Sequence, residues 1–342
     1  MSLDDIPGQE TAARLIRAAL RSGRLPHAFL FVGSAGTGRL AMAQELARIL
    51  LCGDSPQPDA ACGACRNCRL LAAGTHPDYR QEAVPEGKQL VPIQAVREMQ
   101  RAAALKPVIA ARRVFVVCDA ERLTIEAANC FLKTLEEPPG SCVFVLIAST
   151  LRPIPETVIS RCRLVRFRNL KPGALTARLE ADDMPPDDAH WLARRAWGSP
   201  GLAERLREAE LHLLNKELVE QLGAISIEGN FPLSDWLDGL ARQGGGSAAE
   251  SRIRLQELLE CALLYYRDLA VAAADPEGEP LLCNRAERDA IRETAAGAEP
   301  DRFLEEADLV LDVIEAVGGN ANRRLALDHL FTELGRRVPG AE

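Results

Sequence analysis

The stretch Gly33-Ser34-Ala35-Gly36-Thr37-Gly38-Arg39-Leu40 decides how this chain is read. It follows the apolar run Ala28-Phe29-Leu30-Phe31-Val32 and precedes a helical segment. Strand, glycine-rich loop and helix in that order are the setting of a phosphate loop, where glycines let backbone N–H groups cradle phosphate. Gly33, Gly36 and Gly38 are therefore candidate phosphate contacts. The lysine that should reach the β- and γ-phosphates is Arg39, and the hydroxyl that should ligate magnesium is Leu40. Leucine has no atom that coordinates a metal, so the loop keeps its glycines and lacks the groups that act on phosphate.

The acidic partner of such a loop is depleted in the same way. A second apolar run, Arg113–Val117, leads through Cys118 to Asp119-Ala120-Glu121-Arg122. A hydrolysing site needs an aspartate for Mg²⁺ and a second group that positions the attacking water. Asp119 survives as a vestige, but Ala120 follows it. Glu121 lies one residue further, which along a strand turns its side chain to the other face, so it is expected to cap or pair near the following turn. Three losses in one site (Arg39, Leu40, Ala120) remove the expectation of ATP hydrolysis. Phosphate binding without hydrolysis stays open.

Composition sets the frame. At 342 residues the chain has room for two or three domains. Hydrophobic residues at 47% and charged ones at 26% are those of a soluble globular protein. Scarce aromatics with abundant Ala, Leu and Arg favour helix. A net charge of −8 excludes a strongly basic DNA-wrapping protein, although Arg161, Arg163, Arg166 and Arg168 crowd into a local basic stretch. With neither a secretory signal nor a run of ~20 apolar residues, a cytoplasmic protein is expected. Its ten cysteines then read as thiols or metal ligands.

Strand-like runs at Ala28–Val32, Arg113–Val117 and Cys142–Ala148 alternate with helical patterns at 9–22, 39–51, 92–104 and 125–136. That alternation predicts a parallel sheet covered on both faces. Beyond about residue 170 the strand signals stop, and helices are expected at 187–196, 201–222, 249–274, 285–297, 300–316 and 321–337. The glycine-rich run at 242–248 reads as a flexible joint.

Cys62-Gly63-Ala64-Cys65-Arg66-Asn67-Cys68, with Cys52 upstream, offers four thiolates in a short segment rich in Gly and Pro. Four such ligands close a tetrahedral Zn²⁺ site with no open position, which makes the zinc structural. An iron–sulfur cluster fits less well, the fourth cysteine lying on the wrong side of the triplet, and four unrelated cysteines are the remaining alternative. Cys118, Cys130, Cys142, Cys261 and Cys283 sit in apolar patterns and are expected to be buried. Ile159-Ser160-Arg161-Cys162-Arg163 places an arginine where it could stabilise charge on a neighbour's γ-phosphate, the alternative being a surface arginine in a salt bridge.

Those residues, together with Gly8-Gln9, Leu25-Pro26-His27-Ala28-Phe29-Leu30-Phe31, Gly74-Thr75-His76-Pro77-Asp78-Tyr79 and Leu132-Lys133-Thr134-Leu135-Glu136-Glu137-Pro138-Pro139, carry a resemblance. The chain resembles the delta-prime subunits of bacterial DNA polymerase III clamp loaders, within the AAA+ family. The resemblance implies an α/β plus all-α protein: an AAA+ P-loop-type parallel-sheet domain (1–168) with a zinc-binding insertion (about 52–68), a small helical lid (169–241) and a C-terminal helical collar (242–342). It implies a non-hydrolysing stator that supports ATP-dependent loading of the sliding clamp onto primed DNA, within a hetero-pentamer containing motor (gamma/tau) and delta subunits. Contacts with the clamp and with primer-template DNA would be made through that complex, with no membrane. Arg161 is implied as the finger acting in trans, beside Ser160 and Cys162, and Cys52, Cys62, Cys65 and Cys68 as the zinc ligands.

The motor subunit shares most of these motifs, so an active ATPase is the alternative. The motor would carry an intact Lys-Thr pair, an acidic pair, and an arginine after Gly198-Ser199-Pro200, where this chain has Gly201. A zinc-stabilised nucleic-acid binder is a third reading, motivated by the basic run at 161–168.

Overall fold

In the computed structural model, residues 2–55, 57–84, 90–225, 231–243, 247–275, 281–319 and 321–337 are described. They divide into two compact units, Met1–Leu170 with Ser199–Leu202, and Lys171–Gly198 with Ala203–Glu342.

The first unit holds α1 (Glu10–Arg21), β1 (Ala28–Val32), α2 (Arg39–Leu51), α3 (Arg66–Ala72), β2 (Tyr79–Glu82), α4 (Ile93–Ala103), β3 (Arg113–Val117), α5 (Ile125–Glu136), β4 (Cys142–Ala148), α6 (Glu156–Ile159) and β5 (Arg163–Arg166). The five strands form one sheet in the order β2-β3-β4-β1-β5, with every pairing parallel. Strand alternation sends Phe29 and Phe31 into one core with Ile16 of α1 and Met42 and Leu46 of α2. Leu30 and Phe144 point the other way, packing with Met99 of α4 and Phe131 of α5. Burial on both faces is why the three central strands are unbroken apolar runs.

The outer strands β2 (Tyr-Arg-Gln-Glu) and β5 (Arg-Leu-Val-Arg) carry polar side chains and were absent from the sequence expectation. Among the described residues each has a paired neighbour on one side only, so it reads as neither a buried nor a cleanly alternating strand. Thr124 caps α5 as its position suggests, its hydroxyl accepting the Ala127 N–H at 3.1 Å.

The second unit is helical among its described residues, with α7 (Pro172–Ala181), α8 (Pro186–Arg195), most of α9 (Pro200–Glu208), α10 (Leu211–Gly223), α11 (Phe231–Arg242), α12 (Ala248–Ala274), α13 (Arg288–Ala295), α14 (Pro300–Gly318) and α15 (Arg323–Arg336). The α/β plus all-α organisation read from the sequence is thus the one the chain adopts. The continuous helix expected over 201–222 is broken, because Glu210 adopts a left-handed φ of 54° and starts a new helix, α10. Of the expected joint at 242–248, Arg242 ends α11 and Ser247 caps α12, while residues 244–246 lie outside the described residues. Cys142, Cys261 and Cys283 are buried as expected, whereas Cys118 and Cys130 are only partly so.

Candidate functional site

The phosphate-loop residues link the C-terminal end of β1 to the N-terminus of α2. The Gly33 N–H donates to the Ala148 carbonyl at 3.2 Å, tying the loop to the end of β4. Gly36 and Gly38 have φ of +75° and +88°, a region glycine enters without steric cost. Thr37 is buried, and its hydroxyl donates to the Ser34 carbonyl at 2.7 Å. Arg39 opens α2, and Leu40 beside it is exposed. Burial holds the Arg39 guanidinium below its ordinary pKa, opposed by the negative charges of Glu121 and Asp119. Arg39 therefore stands among the acidic residues of the vestigial motif.

Of those acidic residues, Glu121 has its carboxylate engaged in structure. Asp119, at a left-handed φ of 53°, precedes a short 3₁₀ turn, Ala120–Arg122, and its carbonyl accepts the Arg122 N–H at 2.8 Å. Ala120 is buried in the core. Glu121 does not cap the following turn. Its carboxylate accepts the Ser149 N–H at 2.9 Å and also the Ser149 hydroxyl, at the end of β4.

The residues do not fit Mg²⁺–ATP. Leu40 offers no oxygen, the Thr37 hydroxyl is committed to its own loop, and Ala120 supplies no carboxylate. A further segment, singled out in the sequence only for the arginine it lacks, is seated on the loop. The Gly201 N–H donates to the Gly36 carbonyl at 2.9 Å, and the Ser199 hydroxyl donates to the Ala35 carbonyl at 2.8 Å. The turn Gly198-Ser199-Pro200 was its only signal in the sequence.

The four cysteines assemble. The sulfurs of Cys52, Cys62, Cys65 and Cys68 all lie within 4.8 Å of one another. Cys52 is 3.5 Å from Cys62 and 4.0 Å from Cys65, close to the ~3.8 Å edge of a tetrahedron with Zn–S bonds of ~2.3 Å. Backbone N–H groups turn toward the sulfurs: Cys62 to Cys52 Sγ and Cys65 to Cys62 Sγ, each at 3.3 Å, and Cys68 to Cys65 Sγ at 3.5 Å. Such donors favour thiolates. Burial alone would push the Cys65 thiol up, but the Cys68 and Gly53 amides and the adjoining thiols outweigh it and bring it down to about 6. The donor set and its spacing fit a closed tetrahedral metal. Asn67 anchors the segment to α2 by donating to the Leu51 carbonyl at 2.7 Å, and Asp59 ties it to α1 through Arg17 at 3.0 Å and Arg21 at 2.9 Å.

At the opposite end of the first unit's sequence, α6 ends at Ile159 and Ser160 closes it. The Ser160 hydroxyl donates to the Thr157 carbonyl at 3.2 Å. Arg161 is about one-third exposed, and its guanidinium reaches Glu136 at 2.7 Å and the Thr157 carbonyl at 2.9 Å. Burial pushes the Cys162 thiol up to about 12; it packs as an apolar group against the core of α4 and α5. Arg163, Arg166 and Arg168 are exposed.

The His-Pro-Asp motif also gains a role that sequence reading did not assign. The Asp78 carboxylate is buried and accepts the N–H groups of Val108, Ile109 and Ala110 at 2.7–3.0 Å. Arg113 lies 3.3 Å from it and donates to the carbonyls of Ala102 and Lys106. The pair fixes the loop between α4 and β3.

Residues 8–171 match the family described as DNA polymerase III, delta subunit. The delta' subunit of DNA polymerase III from Escherichia coli K12 is 36% identical over 66% of this chain and 66% of its own length. The tau subunit from Bacillus subtilis strain 168 is 31% identical over 52% of this chain and 31% of its own. The aligned part thus spans just under two thirds of the E. coli relative and about a third of the tau subunit. A gamma-subunit-related protein of DNA polymerase III from Thermotoga maritima has 17% identity, covering 96% of this chain and 99% of that one, with a TM-score of 0.44.

Proposed function

We propose that this chain, whose residues 8–171 match the family described as DNA polymerase III, delta subunit, is a non-hydrolysing, stator-type subunit of a bacterial clamp loader. It would work in the cytoplasm inside a hetero-pentamer with motor (gamma/tau) and delta subunits, supporting ATP-dependent placement of the sliding clamp on primed DNA. In this reading residues 169–241 form a lid and residues 242–342 a collar that holds the ring together. One observation carries the proposal: a phosphate loop without its metal ligand coexists with an accessible Arg161. The chain keeps the group that serves a neighbour's γ-phosphate and lacks those that would serve its own.

Mechanistically, a guanidinium presented to a neighbour's ATP would stabilise charge on the transferring phosphoryl group, an effect worth about 10³–10⁵ in rate. Ser160 closes the turn that carries Arg161, and Cys162 anchors it in the core. Bound zinc would give a loop with few apolar contacts its folding energy; Cys52, Cys62, Cys65 and Cys68 would hold it.

The test is a complex reconstituted with motor and delta subunits. Arg161→Ala should leave assembly intact and depress DNA-stimulated ATPase and clamp loading. Undiminished activity would overturn the proposal. The similarity to a tau subunit favours a second reading, an active motor; magnesium-dependent ATP hydrolysis by the purified chain, lost on Asp119→Ala, would establish that instead.

A further inference from the structure

The three loop glycines each face another part of the same unit at a distance that leaves no space for a side chain. A Cβ on Gly33 would lie 2.6 Å from the Phe167 carbonyl oxygen. One on Gly38 would lie 2.4 Å from the Ile6 side chain, and one on Gly36 would lie 2.4 Å from Ser199 Oγ and 2.6 Å from Leu202 N. The contact at Gly36 is reciprocal, since a Cβ on Gly201 would lie 2.9 Å from both the Cα and the carbonyl oxygen of Gly36. Ser199 is buried, its hydroxyl donating to the Ala35 carbonyl and accepting the Leu202 N–H at 3.3 Å.

We propose that the glycine-rich loop is a seat for the chain's own Ser199–Leu202 segment, and that Gly36 and Gly201 form a glycine-to-glycine latch. The loop glycines then have a present structural use that needs no phosphate. The latch also closes position 201 to any side chain, including the arginine a motor subunit would place there. Arginine at 201 and this seating exclude each other, so the nucleotide machinery is blocked at a fourth place besides Arg39, Leu40 and Ala120. The latch itself does not depend on clamp-loader membership, since it rests on contacts within one chain; only the comparison with a motor's arginine does.

A matched pair of glycines tests it. Gly201 follows Pro200 at the start of α9, and Gly173 follows Pro172 at the start of α7, where a Cβ would meet nothing within 4 Å. Helix propensity alone favours alanine over glycine at both. In the full-length chain, Gly173→Ala should hold or raise Tm, while Gly201→Ala should lower it by about 3 °C or more and speed amide exchange in the peptide covering residues 33–40 at least about tenfold. Should Gly201→Ala fail to fold, Ser199→Ala gives the milder break, with the same acceleration expected in 33–40. Equal behaviour of the two glycine variants, or unchanged exchange at 33–40, would overturn the latch.

Discussion

Arg161 reaches back across its own domain to Glu136, guanidinium to carboxylate at 2.7 Å. The two ends of the contact are the Ser-Arg-Cys motif and the Leu-Glu-Glu-Pro-Pro motif, so two segments quoted separately in the sequence meet in space. The pair is partly solvent-exposed, with side chains 35% and 49% accessible. Exposed pairs of this kind contribute about 0–1 kcal/mol, so the tether orients Arg161 and yields easily to a stronger anion.

Glu136→Ala should therefore change the stability of the isolated chain by less than about 1 kcal/mol. In the reconstituted complex it should alter ATPase by no more than about fivefold, against about 10³-fold or more for Arg161→Ala. Steady-state ATPase of the two variants, measured side by side, checks the ordering. Equal losses would mean that Glu136 takes part in the chemistry.

The cysteine cluster should bind one zinc per chain. Cys62→Ser should abolish stoichiometric binding, and a chelator should release the metal from the native chain with loss of ordered structure around residues 52–68. Because thiolates compete with protons for the metal, affinity should fall as pH is lowered. Metal analysis of the purified chain, followed by dye-detected release between pH 8 and pH 5, reads both effects.

Asp78 sets an acid limit on the first unit. Burial raises its pKa, but the N–H groups of Ala110, Ile109 and Val108 and the charge of Arg113 outweigh burial and hold the carboxyl below its ordinary value. For a carboxyl whose folded pKa is depressed, the stabilisation is complete above the unfolded value of about 3.9 and is lost as pH falls from there through the folded value. Asp78→Ala, which leaves Arg113 buried without its partner, should cost about 3–5 kcal/mol. Asp78→Asn should lose the part of the acid-unfolding slope that lies below about pH 4. Denaturant unfolding at several pH values measures both.

Restoring the loop residues should not restore hydrolysis. Arg39→Lys with Leu40→Thr returns the ammonium and the hydroxyl, yet Ala120 still supplies no carboxylate beside Asp119. The double variant should show no magnesium-dependent turnover in a phosphate-release assay.

The central sheet and the cysteine cluster were legible because each is encoded locally. Phe29, Phe115 and Phe144 lie in strands buried on both faces, and such strands appear as uninterrupted apolar runs. Cys62, Cys65 and Cys68 announce themselves by spacing. The edge strands were not legible, since Arg80 and Glu82 of β2, and Arg163 and Arg166 of β5, carry no apolar period. The break at Glu210 was hidden because leucines continue the helical pattern on both sides of it. Contacts that join distant segments left the weakest trace. Nothing in Gly36 says that Gly201 will lie against it, and nothing in Glu121 says that its partner is Ser149.

Helix α2 runs from Arg39 to Leu51, thirteen residues, or about 20 Å at the usual helical rise. One end emerges from the glycine-rich loop, and the other is closed by Cys52, whose N–H donates to the Arg48 carbonyl at 3.1 Å and whose sulfur belongs to the cysteine cluster. The loop and the cluster are thus the two terminals of a single strut. Zinc at one terminal would act as an end-stop against unwinding. Its removal should fray the strut from Cys52 and Leu51 inward, with Arg39 the last residue to feel it.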